Sequence, residues 1–238
     1  NSNAAADDLT VSAAISGAGT LTKAGAGTLV LSGSNSYATL TMNDGVIRSE
    51  ADNALTDGRV THRKGLINLN GFNDTVGAVS MGGLAGETPE LRTGSGLLTL
   101  GGNFDYDAVN NGQGALVTGR INLQATRSFI IEDSTNAAVD TTILASIEGT
   151  GGLSKTGAGT MELGGRLTFG GLLTINNGVL LLSGSSSTIS AITMGGVAGV
   201  TPVLDTGATT LGLAGTLTYG AGSNGLGSTL KGHLDLGT

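Results

Sequence analysis

The chain has 238 residues, of which 43 are glycine and only 2 proline, with no cysteine, no tryptophan, 3% aromatic residues and a net charge of -7. Collagen is excluded because no Gly-X-Y period is present, and a disordered glycine linker because Val, Ile and Leu are plentiful. The acidic balance disfavours counterion-driven binding to nucleic acid or to an anionic membrane, and without cysteine neither disulfides nor thiolate metal sites hold the chain.

Residues 1–9 (NSNAAADDL) lack the basic and apolar regions of a signal peptide, so the sequence is expected to begin after any export signal or to have none. No apolar run reaches the length of about 18 residues needed for a membrane helix. A core built without large rings is thin, which favours a repeat fold over a broad globule.

The first informative stretch is KAGAGTLVLSG, residues 23–33. Its glycines resemble a phosphate loop, but such a loop needs GxxxxGK[ST] or GxGxxG followed by a helix. Here the glycines lead into Thr28-Leu29-Val30-Leu31, whose alternation predicts a turn that launches a strand, with Leu29 and Leu31 inward and Val30 facing water. The stretch recurs as KTGAGTMELGG at residues 155–165, where Val30 is replaced by Glu162. Residues 4–33 repeat at an offset of 132, and LTMNDGVI from Leu40 repeats as LTINNGVL from Leu173 at 133. From Thr75 onward the offset is 113, with MGGLAGETPELRTG at Met81 repeating as MGGVAGVTPVLDTG at Met194.

The two offsets, 133 and 113, differ by one coil of about 20 residues, because losing part of a coil would break the stacking register. Short alternating strands separated by turns such as Asn43-Asp44-Gly45 and Asn176-Asn177-Gly178 fit a parallel β-helix. The fold class expected is an all-β parallel β-helix, a solenoid with about 20 residues per coil and almost no helix. Roughly twelve coils at ~4.8 Å would make a rod about 57 Å long. The domain reading is one continuous solenoid over 1–238, with a first repeat block at 1–125 and a second, one coil shorter, at 133–238. Both ends look like interrupted repeats, which predicts stacking on flanking repeats or on other copies.

Taken in order, the glycine-rich turn, the Thr-Leu-x-Leu-x-Gly strand, Asn35-x-Tyr37, the turn before Val46, and Leu69-Asn70-Gly71 resemble the autotransporter-associated β-strand repeat of type V secreted passengers. The resemblance covers most of the chain and implies a right-handed β-helix, export to the bacterial cell surface, and a structural or adhesive role. The second copy departs from it, with Arg166-Leu167-Thr168-Phe169 in place of the Asn-x-Tyr element. No translocating barrel is present in these residues, so membrane insertion by this segment is not expected.

Candidate chemistry is sparse. His62 reads as a solvated loop histidine, and His233 aligns with Arg120 as a surface position. With two histidines and no cysteine, neither a Cys/His dyad nor a zinc cluster has enough ligands, so no metal and no cofactor is expected. Asp44, Asp57 and Asp74 read as backbone-capping residues of turns. Asp105 and Asp107 alternate on one strand and share a face, as the acidic pairs of polysaccharide-cleaving β-helices do, but their second-block counterparts are Thr218 and Gly220. The extra coil, about residues 48–67, gathers Arg48, Arg59, His62, Arg63 and Lys64 beside Glu50, Asp52 and Asp57, and these basic residues form the candidate contact patch. The expectation is a non-enzymatic, extracellular stalk, adhesin passenger or fibre segment, with a surface glycan or protein receptor as its partner. A carbohydrate-active β-helix enzyme and a glycan-binding module without turnover are the alternatives.

Overall fold

The computed structural model describes residues 7–110, 112–195, 197–220 and 226–237. They form a β-solenoid of about 10 turns with roughly 23 residues per turn, and among them there is no helix. Three parallel sheets make the faces. The first has 12 strands, beginning Leu9–Val11, Thr28–Leu31, Val46–Ser49 and Leu66–Asn68; the second has 10, beginning Ser16–Lys23, Ser36–Met42 and Arg59–His62; the third has 5, from Asp74–Val76 to Leu167–Phe169.

The inward columns follow from strand alternation. In the first sheet Leu9, Leu29, Ile47, Ile67, Leu91, Val117, Ile143 and Leu163 stack in register. In the second, Phe104 stacks on Phe129 with ring centroids 5.4 Å apart. Apart from Leu9, which is 58% exposed on the first strand, these residues belong to one apolar cluster that runs through the coils. Such a column buries a side chain per strand without any single wide core, which is how a chain with so few aromatics keeps water out.

Two expectations need correction. The coils are not uniform at about 20 residues, and there are about 10 rather than twelve. The corner between second and first sheets takes up the difference: 63–65 is a tight turn, whereas 132–140 is a long loop. Val30, expected in water, is only 2% exposed, although it lies outside the inner cluster. The strand phase is therefore right. Its outward neighbours in register are Thr10 and Arg48, and Arg48 is held down by ion pairs, so the outer surface covers Val30.

The tight corners explain the glycines that matter most. Gly45 has φ +81°, and a Cβ there would come within 2.4 Å of the Gly27 carbonyl oxygen of the coil below. Gly178, its counterpart, has φ +68° and the same 2.4 Å approach to the Gly159 oxygen. Coils stack this closely at the corner because nothing protrudes between them.

Candidate functional site

The basic residues of the extra coil are distributed over different faces. Arg48 lies on the outer first sheet, where its guanidinium donates to both oxygens of Asp7 at 2.8 and 2.9 Å and its Nε to Glu50 at 2.8 Å. Arg59 lies on the outer second sheet, 3.9 Å from Asp105. Lys64 occupies the tight corner, 3.0 Å from Glu87 and 3.8 Å from Asp44. Arg63 is exposed at that corner. The structure does not gather these side chains into one surface; the three ion-paired groups reach across to other coils, as exposed pairs of little consequence for stability.

His62 corrects the reading of a solvated histidine. It is fully buried, in an inward column between Met42 and Met81. Its Nε2 lies 3.0 Å from the Gly65 carbonyl oxygen, and Nδ1 has no partner. Desolvation brings the imidazole down to about 4, against weaker opposition from the backbone bonds and Glu90, so the ring is neutral and donates from Nε2.

This placement exposes a feature that sequence comparison flagged only as identity. Lys23, Lys155 and His62 each end a second-sheet strand or its inward run beside a tight corner. Lys155 is fully buried, and its Nζ donates to the carbonyls of Thr156 (2.9 Å), Gly157 (2.8 Å) and Asn177 (3.1 Å). Lys23 repeats the arrangement on Gly25 (2.5 Å) and Asp44 (3.0 Å). Burial lowers the Lys155 amine to about 8, with Asp140 acting the other way, and lowers Lys23, where Asp44 and Asp8 oppose it. The amines satisfy corner carbonyls that glycine turns leave without strand partners.

A second polar cluster stands where the third sheet has not yet begun. Asn35 accepts from Ile15 N at 2.7 Å and donates to the Ala54 carbonyl, tying three coils together. Tyr37 is buried beside it, with Thr56 donating to its carbonyl. Asp74 accepts from Leu55 N at 2.9 Å. It caps backbone as expected but from a buried strand rather than a turn, and it heads an inward column continued by Leu98, Ile121, Ile147 and Leu167. Desolvation raises its carboxyl to about 7 in spite of those backbone bonds. The second block builds the same place from Leu167, Phe169 and Ser187, whose Oγ accepts from Leu167 N at 2.9 Å.

Asp105 and Asp107 both point outward from Phe104–Asp107, as expected. Asp107 accepts from Val109 N at 2.8 Å and Glu132 from Ala108 N at 3.1 Å, so these carboxylates shape the loop. Asp105 is pushed up by burial, with Arg59 opposing and Glu132 adding. Among the described residues no group of three or more His, Cys, Asp and Glu side chains is placed to hold a metal ion.

Residues 21–42 and 153–182 match the model of the passenger-associated-transport-repeat family. The chain carries an autotransporter passenger-type repeat. Each passenger-repeat match takes in the corner lysine, its glycine turn and the first-sheet strand that follows. No curated protein and no solved structure matches the chain significantly.

Proposed function

We propose that this passenger-type segment is an extracellular, non-enzymatic structural or adhesive module: a stalk, adhesin passenger or fibre segment of a larger bacterial surface or secreted protein. The observation that carries the reading is a passenger-type repeat laid on a parallel solenoid whose buried Lys23, Lys155, Asn35 and Asp74 bind backbone of adjoining coils. Their chemistry goes into coil stacking. Its partners in this reading are flanking repeats or other copies stacked end to end, and a surface glycan or protein receptor. The contact patch narrows to Arg63 and Lys64 at the exposed corner.

One observation favours a second reading. Asp105, pushed up by burial beside Glu132, has the environment of a general acid next to a second carboxylate, which is how polysaccharide-cleaving sites are built. A panel of bacterial and host glycans, scored for both retention and product release, tests the two together. Binding without products supports the adhesive module, and silence on every glycan supports the stalk. Turnover that Asp105→Asn abolishes overturns the non-enzymatic reading.

A further inference from the structure

The corner at Asn177-Gly178 holds the parts of a reaction that its first-block counterpart has no amide to perform. Gly178 N lies 2.7 Å from Oδ1 of Asn177, which brings the backbone nitrogen against the side-chain carboxamide that precedes it. The peptide unit they share is polarised: Lys155 Nζ donates to the Asn177 carbonyl oxygen at 3.1 Å, drawing electron density from the same amide whose N–H belongs to Gly178. Gly178 has φ +68° and no side chain to shield the nitrogen. In the first block every element is present, with Lys23 Nζ on the Asp44 carbonyl at 3.0 Å and Gly45 N on the Asp44 carboxylate at 2.8 Å. There the residue is already an acid.

We propose that Asn177 is a self-modification site, at which the folded corner converts the asparagine to the acid that Asp44 supplies by sequence. Solvent hydroxide removes the Gly178 amide proton, and the nitrogen attacks Cγ of Asn177. The new C–N bond closes a five-membered imide, and the bond from Cγ to the carboxamide nitrogen breaks as that nitrogen leaves as ammonia, taking a proton from water. A water molecule then adds to one imide carbonyl and opens the ring to aspartate or isoaspartate. Nothing is oxidised or reduced. Lys155 is a positioning and activating group that acts through the shared peptide unit. Aspartate suits the corner, because Asp44 occupies the equivalent turn and its charge opposes the lowering of the Lys23 amine by burial. Lys155 has only Asp140 acting on it in this way, so a carboxylate at 177 gives it the second anionic neighbour that Lys23 already has.

The test is ageing of the intact chain at about pH 7.5, with peptide mass mapping of residue 177 and hydroxylamine to trap the imide. A charge-assisted hydrogen bond worth one tenfold step in rate makes conversion about tenfold faster in the folded chain than in the same chain in urea. Asn70-Gly71 is the internal reference, since Asn70 Nδ2 is held by Glu50 at 3.3 Å, and it should lag behind. Conversion at 177 that is no faster folded than unfolded overturns the proposal. The pH profile of the wild-type chain tests Lys155 without any variant that must fold. The rate should rise with hydroxide and then flatten above about pH 8, where the amine, faced by Asp140, loses its charge. Unbroken proportionality to hydroxide overturns the part assigned to Lys155.

Discussion

His62 and Asp74 place two ionisable groups in apolar columns, and their linkage runs in opposite directions. The folded state holds the imidazole neutral down to about 4, whereas the unfolded chain ionises near the ordinary 6.5. As the pH falls the unfolded state takes up the proton first, so stability that is full above 6.5 is lost progressively between 6.5 and about 4. The full loss is on the order of 3 kcal/mol at ~1.4 kcal/mol per pH unit. His62→Met, matching Met42 and Met81 in the column, should leave the opposite slope of Asp74 uncompensated, so the variant gains stability over the parent chain as the pH falls from about 7.5 to about 4.5; urea midpoints of both chains at those two pH values check it, and a parallel pH dependence would sink the assignment. Asp74 behaves in reverse. Its folded carboxyl titrates at about 7 rather than 3.8, so the penalty for ionising it is absent below 3.8 and complete only above about 7. Asp74→Asn should therefore stabilise the chain near pH 8, by up to roughly 4 kcal/mol, and leave it little changed near pH 3.5. With both groups present the slopes offset one another between about 4 and 6.5. Neither role was legible in the sequence. His62 lies in the coil that has no second copy, so the internal comparison had nothing to set beside it, and Asp74 faces a Ser in the other block, a pairing that looks like a surface exchange until burial is known.

At the scale of the element, the tight corner is a turn built by three contributions: a glycine that clears the coil below, an amide N–H bound to an Asx side chain, and a lysine amine on the carbonyls. Lys155→Met should leave the carbonyls of Thr156, Gly157 and Asn177 without that donor and cost about 1–3 kcal/mol. Lys23→Met should cost less, because that lysine is 8% exposed and water can replace part of what it gives. Denaturant unfolding of the two variants measures the difference, and equal costs would show that burial does not set the value of the corner amine. Much of this element was written in the sequence. Repetition of Lys, Gly and Asn/Asp at fixed spacing marked the turn, and alternation in Leu29-Val30-Leu31 gave the strand phase. The cover over Val30 was not, because it depends on Arg48 being fastened to Asp7, 41 residues away in sequence. The third-face cluster was half legible: Asn35-x-Tyr37 stood out as a motif, but only the stacked coils show Asn35 bridging Ile15 to Ala54.

For the whole molecule, the coil is the unit that can be gained or lost, and the register says where to cut. Arg48 pairs with Asn68 in the first sheet, so removing residues 48–67 joins Ile47 to Asn68 and lets Asn68 occupy the place of Arg48. Val46 and Ile47 then meet Glu90 and Leu91, the partners that Leu66 and Ile67 had. In the second sheet Met42 comes to stack on Met81, as Ile175 stacks on Met194 in the second block. On the third face the backbone N–H of Asn35 comes opposite Asp74, as that of Leu167 meets Ser187. Each of these register contacts thus has a counterpart in the second block. The deletion removes His62, the Lys64 ion pairs and one layer of columns, so the product should fold with an unaltered β signature in circular dichroism, a smaller denaturant m-value from the smaller buried surface, and lower stability. Removing only residues 48–57 leaves half a coil, takes out the third-face crossing between Ile47 and Arg59 and leaves the junction with the next coil without a matching register, so that product should fail to fold cooperatively. If the two deletions unfold alike, whether both cooperatively or neither, the coil is not the unit of this solenoid.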